Sequence, residues 1–321
     1  MQVRHNWTMT ELNALYALSL LELISQAHQI HIQHHSPAEV HFCHLISIKT
    51  GGCPEDCKYC SQSAHYQTST QAQPLLQWEE VQTEAKKAIA RGATRICLGA
   101  AWREVRDNKH FEEILQMIKE LTHLDVEVCC TLGMLKEEFA LRLKEAGLYA
   151  YNHNLDTSES FYPTIITTRT YQERLDTLSI VEKAGISVCC GGILGLGESS
   201  VDRLQLLHQL SCRTPHPESV PINRLTPIRG TPLGSQPQIS HWELVRIIAI
   251  ARILMPKSLI RLSSGRNEMS TEEQALCFLA GANSIFIGEK LLTVANPQPD
   301  KDAEMFRILG ITGRPAFQKV G

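Results

Sequence analysis

From about residue 42 the chain repeats one unit: a short β-branched apolar run, a polar or glycine loop, then a stretch with helical spacing of apolar residues. The runs at 42–48, 94–98, 126–131, 148–152, 186–190, 219–225, 259–263 and 284–287 predict eight strands. Four intervening helical stretches end on glycine just before a strand, at Gly92, Gly147, Gly185 and Gly281. A helix that stops there needs a left-handed residue at its C-terminal boundary, which glycine supplies without steric cost. Strands alternating with helices of about 12 residues imply right-handed βαβ units and a parallel sheet. Eight such units predict a single (β/α)₈ TIM-type barrel, with chemistry at the C-terminal strand ends. A doubly wound open sheet is the alternative, because strand count does not by itself require closure.

Ahead of the barrel, Thr8-Met9-Thr10-Glu11 fits a capping box, and Leu12, Leu15, Tyr16 and Leu23 lie on one side of a helix. Residues 1–40 therefore read as an N-terminal helical extension, 41–310 as the barrel and 311–321 as a loose tail. No proline- or serine-rich linker divides the chain. The stretch holding His28, His31, His34, His35, His41 and His44 reads as a solvated connector in preference to a metal tract, since metal sites need converging geometry.

Composition narrows the function classes. A length of 321 residues suits one large barrel, and a net charge of −3 argues against a general nucleic-acid binder. No secretory pattern opens the chain, and no uncharged apolar run reaches the roughly 18 residues needed to span a bilayer. A cytoplasmic enzyme with no membrane partner is expected. Eleven cysteines are many for a reducing compartment, where each should be either a buried small apolar group or a metal ligand.

Spacing separates those two cases. Cys53-Pro54-Glu55-Asp56-Cys57-Lys58-Tyr59-Cys60 places three thiols in the loop after the first strand. Soft thiolates suit iron–sulfur clusters, which usually take four; with no fourth cysteine nearby, one iron stays open to a small molecule. A zinc knot completed by His65 is the weaker alternative, since zinc sites usually show paired CxxC knuckles.

A second group lies on the predicted strands: Cys97, Cys129 or Cys130, Cys189 or Cys190, and Arg261. Strand alternation turns one member of each adjacent pair inward but does not say which. By residue chemistry alone Arg261 is an anion-pairing group, because guanidinium has no free lone pair. Cys43, Cys212 and Cys277 have no partner at metal-binding spacing and read as packing residues.

Polar residues gather at later strand ends. Asn154 and Asp156 share one face after strand four, Arg174 reads as a helix-surface ion pair, and Asn223 sits on strand six. Gly191-Gly192-Ile193-Leu194-Gly195-Leu196-Gly197 fails the GxGxxG pattern, because Ser200 holds the third glycine's place. Lys290-Leu291-Leu292-Thr293 follows strand eight.

The cysteine loop resembles that of the radical S-adenosylmethionine superfamily. Longer segments resemble the biotin synthase family over about residues 40–310: Lys49-Thr50-Gly51-Gly52-Cys53, Val128-Cys129-Cys130-Thr131, Asn152-His153-Asn154-Leu155-Asp156 and Val188-Cys189-Cys190-Gly191. That resemblance implies a [4Fe–4S] cluster on Cys53, Cys57 and Cys60, whose open iron is chelated by S-adenosylmethionine. It also implies a [2Fe–2S] cluster on Cys97, Cys129, Cys189 and Arg261. Tyr59, Asn154, Asp156, Arg174, Gly195 and Gly197 would contact S-adenosylmethionine; Asn154, Asn223 and Thr293 would contact the substrate. Many relatives carry a second threonine where Val294 stands here.

The implied activity is radical insertion of sulfur into dethiobiotin, with no general acid or base and with the second cluster as sulfur donor. A flavodoxin- or ferredoxin-like electron donor, iron–sulfur assembly machinery and a homodimer are implied as partners. A related maturase or mutase is the nearest alternative activity, and a non-enzymatic iron–sulfur electron carrier a more distant one.

Overall fold

The computed structural model describes residues 3–318. The apolar runs form parallel strands β1 (Glu39–Lys49), β2 (Arg95–Ala100), β3 (Glu127–Thr131), β4 (Ala150–Asn152), β5 (Ser187–Cys189), β6 (Ser219–Arg224), β7 (Leu259–Leu262) and β8 (Ser284–Phe286). Each pairs with the next, and β1 also pairs with β8 through His41↔Ser284, Phe42↔Ile285 and Cys43↔Phe286. The sheet is therefore a closed barrel, and the open-sheet alternative is excluded. One helix follows each strand: α3 (Trp78–Ala90), α4 (Lys109–Thr122), α5 (Glu137–Glu145), α6 (Tyr171–Lys183), α7 (Ser200–Ser211), α8 (His241–Leu254), α9 (Thr271–Leu279) and α10 (Pro299–Leu309), numbered after the N-terminal α1 (Met9–Ala17) and α2 (Leu20–His34).

Two apolar compartments result. A large core between helices and strands takes the outward residues, including Ile96, Cys130, Cys190, Ile222 and Leu262. A small one inside the barrel contains Cys43, Cys97, Cys129, Ala150, Phe286 and Leu291. β5 stops at Cys189 because Gly191 passes tightly against β6; a Cβ there would lie 1.9 Å from the Pro221 carbonyl oxygen. The chain resumes as Gly192–Leu194, still beside β6.

Three expectations need correction. The N-terminal helix is two, because Ser19 caps a new helix with its hydroxyl on the Glu22 amide. The histidine-rich stretch is not a solvated connector: His28, His31 and His34 lie on α2, and His41 and His44 lie on β1. His31, His41 and His44 are buried, and α2 packs against α8. Histidine lowers apparent apolarity, yet a neutral imidazole with one partner is readily buried. The tail is not loose over 311–318 either, since Thr312–Gly313 pairs with Glu39 and Val40 and the Phe317 amide donates to Glu127 (2.8 Å). Residues 319–321 lie outside the described part.

The four helix-ending glycines all take positive φ, at 93° for Gly92, 94° for Gly147, 68° for Gly185 and 107° for Gly281. Their surroundings differ. Nothing lies within 4 Å of a Cβ added at Gly185, whereas one at Gly281 meets Arg252 Cγ at 2.6 Å. The Arg252 guanidinium cannot yield, because it donates to Pro256, Ser258 and Gly281 carbonyls and to Asn283 at 2.8–3.0 Å. Gly185→Ala should cost about 1 kcal/mol from left-handed strain alone. Gly281→Ala should cost about 2–4 kcal/mol because overpacking adds to that strain. Denaturant unfolding of both variants checks the order, and equal losses would mean the Arg252 contact relaxes freely.

Candidate active site

The loop after β1 folds back on itself. The Cys53 amide bonds the Gln62 carbonyl at 2.9 Å, Ala64 N donates to Cys53 O at 2.7 Å, and Cys60 N donates to Cys57 O at 2.9 Å. All three cysteines are free thiols. Burial pushes Cys57 up to about 12 and Cys60 to about 11, and the thiols act on one another. Arg169 Nη2 lies 3.8 Å from Cys57 Sγ. Glu55, buried behind the loop, is held by Arg103 at 2.5 Å, and Asp56 accepts from the Thr167 amide at 2.9 Å. The His65 ring is turned to the Pro54 carbonyl at 3.0 Å, so it is not placed as a fourth ligand.

The donor set fits a multi-iron cluster with one iron lacking a protein ligand. Among the described residues no three His, Cys, Asp or Glu groups are arranged to hold a single metal ion. Thiolates of a cluster bind different irons and stand further apart than the ligands of one ion.

Inside the barrel, alternation separates the paired cysteines. Cys129 joins the inner compartment and Cys130 the outer core. Cys189 lies 3.6 Å from Arg261 Nη1, while Cys190 also points outward into the core. Cys97 and Cys129 are direct cross-strand partners in the inner compartment. Arg261, 1% exposed, donates Nε to Ser284 Oγ at 3.0 Å and packs over the Phe286 ring, but its Nη2 has no partner. Three soft donors around a buried cation with an unused nitrogen fit a second iron–sulfur group.

A cavity of about 310 Å³ joins the two sets, lined by Tyr59 and Cys60 of the cysteine loop and by Cys97, Cys129 and Arg261 of the barrel strands. Asn154, Asp156, Arg174, Asn223 and Thr293 also line it. Asp156 Oδ2 accepts from Tyr59 OH (2.8 Å) and from Arg174 Nη2. Arg174 is buried, not a surface ion pair; its Nε donates to Tyr162 OH (2.7 Å) and its Nη1 to the Asn154 carbonyl. Asn154 Oδ1 accepts from Gly191 N (3.1 Å), and Asn223 Nδ2 donates to Gly192 O (3.0 Å). Thr293 and Ser61 hydroxyls bond at 2.7 Å, tying the loop after β8 to the cysteine loop.

Gly195 and Gly197 are not brought to this cavity. Both take positive φ in the loop before α7, and the Gly195 amide is held by Glu198 at 2.8 Å. Sequence reasoning also missed one wall residue, Arg169, which carried no motif. Cys43 lies in the inner compartment, two residues from the cavity-lining Leu45, so period two places it inside.

Comparison with known proteins agrees with this geometry. Residues 47–210 match the model of the Radical SAM superfamily, and residues 221–312 match the Biotin and Thiamin Synthesis associated domain. Solved structures of methylornithine synthase (TM-score 0.79, 19% identity, 96% of this chain and 94% of that one) and of the FeFe-hydrogenase maturase of Carboxydothermus hydrogenoformans (TM-score 0.80, 19%, 96% and 76%) share the fold. Barrel and cysteine loop thus define a radical S-adenosylmethionine enzyme. The biotin synthase of Cytophaga hutchinsonii is 55% identical over 99% of this chain and 94% of its own length; that of Nostoc punctiforme is 56% identical over 99% and 96%. The chain belongs to the biotin synthase family, whose enzymes use S-adenosylmethionine and iron–sulfur clusters. No helix among the described residues is long and apolar enough to cross a membrane.

Beneath the inner thiols lies a charged floor. Glu127 bonds Arg95 Nε at 2.7 Å and lies 3.3 Å from His41 Nε2; Arg95 also reaches Glu218 at 2.8 Å. Burial works to raise Glu127, but Arg95 and His41 hold it at about 2. A depressed carboxylate stabilises the fold above its unfolded pKa, and that contribution fades as pH falls from about 4 toward 2. Glu127→Gln should cost about 3 kcal/mol at pH 7. The gap to wild type should narrow at pH 3. A gap unchanged between the two pH values in denaturant titrations would show that the pairing carries no such stability.

Proposed function

We propose that this enzyme converts dethiobiotin to biotin in the barrel cavity, and that residues 41–310 form the catalytic unit. The observation that carries this is the cavity itself, which Cys60 of the cysteine loop and Cys97, Cys129 and Arg261 of the barrel strands all line. When bound, the first cluster with S-adenosylmethionine supplies hydrogen abstraction, and the second cluster supplies sulfur.

The chain's own residues bind and orient. Cys53, Cys57 and Cys60 hold the [4Fe–4S] cluster; Cys97, Cys129, Cys189 and Arg261 hold the [2Fe–2S] cluster. Asp156 keeps Oδ1 available for a ribose hydroxyl, because Tyr59 and Arg174 both bond Oδ2. Arg174 faces the methionine carboxylate from a position locked by Tyr162. Asn154 and Asn223 offer amide groups to the substrate's ureido ring, and Thr293 a hydroxyl to its carboxylate tail. With Val294 beside it, the second tail contact falls to a backbone amide. Gly195 and Gly197 act by shaping the loop that carries Ile193 into the cavity. The apolar lining contributed by Leu45, Leu291 and Leu292 keeps water from a reactive intermediate. Electrons come from a flavodoxin- or ferredoxin-like protein, iron–sulfur assembly machinery rebuilds the second cluster, and the enzyme works as a cytoplasmic homodimer.

Anaerobic reconstitution followed by Mössbauer spectroscopy tests the assignment. Wild type should show [4Fe–4S] and [2Fe–2S] signals, and Cys97→Ala/Cys189→Ala should lose only the second along with biotin formation. A lone [4Fe–4S] signal, identical in both proteins, would leave a radical enzyme without a protein-bound sulfur donor.

A further inference from the structure

The inner compartment holds more sulfur than the proposed ligand set uses. Cys43, on β1, is fully buried in the same compartment as Cys97 and Cys129, and its Sγ lies 3.6 Å from His41 Nδ1. On its other side, Cys43 Sγ is 3.8 Å from Ser284 Oγ, the hydroxyl that also accepts from Arg261 Nε. Four thiols therefore surround one guanidinium: Cys43, Cys97 and Cys129 along β1–β3, and Cys189 across the barrel at 3.6 Å. Arg261 Nη2 is buried in this box with no partner of its own.

The chemistry of the two candidate fourth ligands is unequal. A guanidinium must give up a proton before it offers a lone pair, and it resists doing so. A thiol meeting iron deprotonates readily, and the thiolate is the softer, stronger donor. Cys130 and Cys190 pack on the helix side of the barrel, whereas Cys43 shares the interior with the cysteines assigned to the second cluster.

We propose that Cys43 is a reserve fourth ligand of the second cluster, able to take the iron position otherwise held by Arg261. The proposal rests on the two-cluster assignment made above. In the exchange the Fe–N bond to Arg261 breaks as the Fe–S bond to Cys43 forms, the thiol proton passes to the freed guanidine nitrogen (or to water in a chain lacking Arg261), and all oxidation states stay unchanged. While Arg261 is present it meets Cys189 through Nη1 and shares the Ser284 hydroxyl with Cys43, and it occupies the fourth position in place of that thiol. Without Arg261 the box contains four thiols and no competing base of that size.

The test compares anaerobically reconstituted wild type, Cys43→Ser, Arg261→Ala and Cys43→Ser/Arg261→Ala. Iron and sulfide content, Mössbauer parameters and resonance Raman Fe–S stretching bands are the readouts. Cys43→Ser should keep the wild-type cluster. Arg261→Ala should keep a cluster whose bands shift to those of four-thiolate ligation, and the double variant should lose most of the [2Fe–2S] iron while retaining [4Fe–4S]. Retained [4Fe–4S] iron together with unchanged thermal melting distinguishes ligand loss from misfolding, and Cys43→Ala in place of serine excludes ligation by the new hydroxyl. A double variant with the same cluster content and bands as Arg261→Ala overturns the proposal while leaving the two-cluster assignment intact. A wild type with no [2Fe–2S] signal overturns both.

Discussion

Closure of eight parallel strands is the constraint on which the rest of this molecule depends. A closed barrel leaves no edge, so every strand residue faces either the helices or a narrow interior with room for few side chains. Cysteines separated by a single position are thereby sent to different compartments, and Cys129 and Cys130 become chemically unrelated. The same closure brings Cys189 within 3.6 Å of Arg261, 72 positions apart in sequence. A flat sheet of the same strands could not surround one point with thiols from β1, β2, β3 and β5.

Buried arginines show where that interior departs from a structural optimum. Arg95 meets the carboxylates of Glu127 and Glu218, Arg266 meets Asp302 at 2.5 Å, and Arg252 is held by backbone carbonyls and Asn283. Each satisfies the rule that a desolvated cation needs opposing charge or a full set of acceptors. Arg261 has neither. Its partners are one hydroxyl, one sulfur and an aromatic face, with Nη2 unsatisfied. A cation buried on such poor terms destabilises the isolated protein, and an electron-rich group held among the surrounding sulfurs would offset that cost.

Much of this was legible in the sequence, and the failures share a cause. All eight strands were foreseen to within a few residues because apolar runs bounded by glycine are strong local signals, as at Gly92 before β2. The cysteine loop was legible because its spacing is itself the chemistry. What the sequence hid depends on partners distant along the chain. His31 and His41 look polar, yet packing of α2 against α8 and the Glu127 carboxylate make their burial tolerable. Arg174 looked like a surface residue until Asp156, Asn154 and Tyr162 surrounded it.

The end of β4 shows how the fold prepares its polar groups before any ligand arrives. Asp156 takes φ of 68°, a left-handed conformation that costs a non-glycine residue roughly 1–2 kcal/mol. Such strain persists only where the surroundings over-determine it. Here the Asp156 carbonyl accepts from Ile193 N at 2.8 Å, its amide meets the Gly191 carbonyl, and its carboxylate is held by Tyr59 and Arg174. Tyr59 belongs to the cysteine loop, so one carboxylate ties that loop to the ends of β4 and β5. Displacing it would relax the backbone but disconnect the cluster loop from the polar rim. The strain is thus the cost of holding the Asp156 carboxylate on the cavity wall against Tyr59 and Arg174, so that a ligand there meets groups already in place.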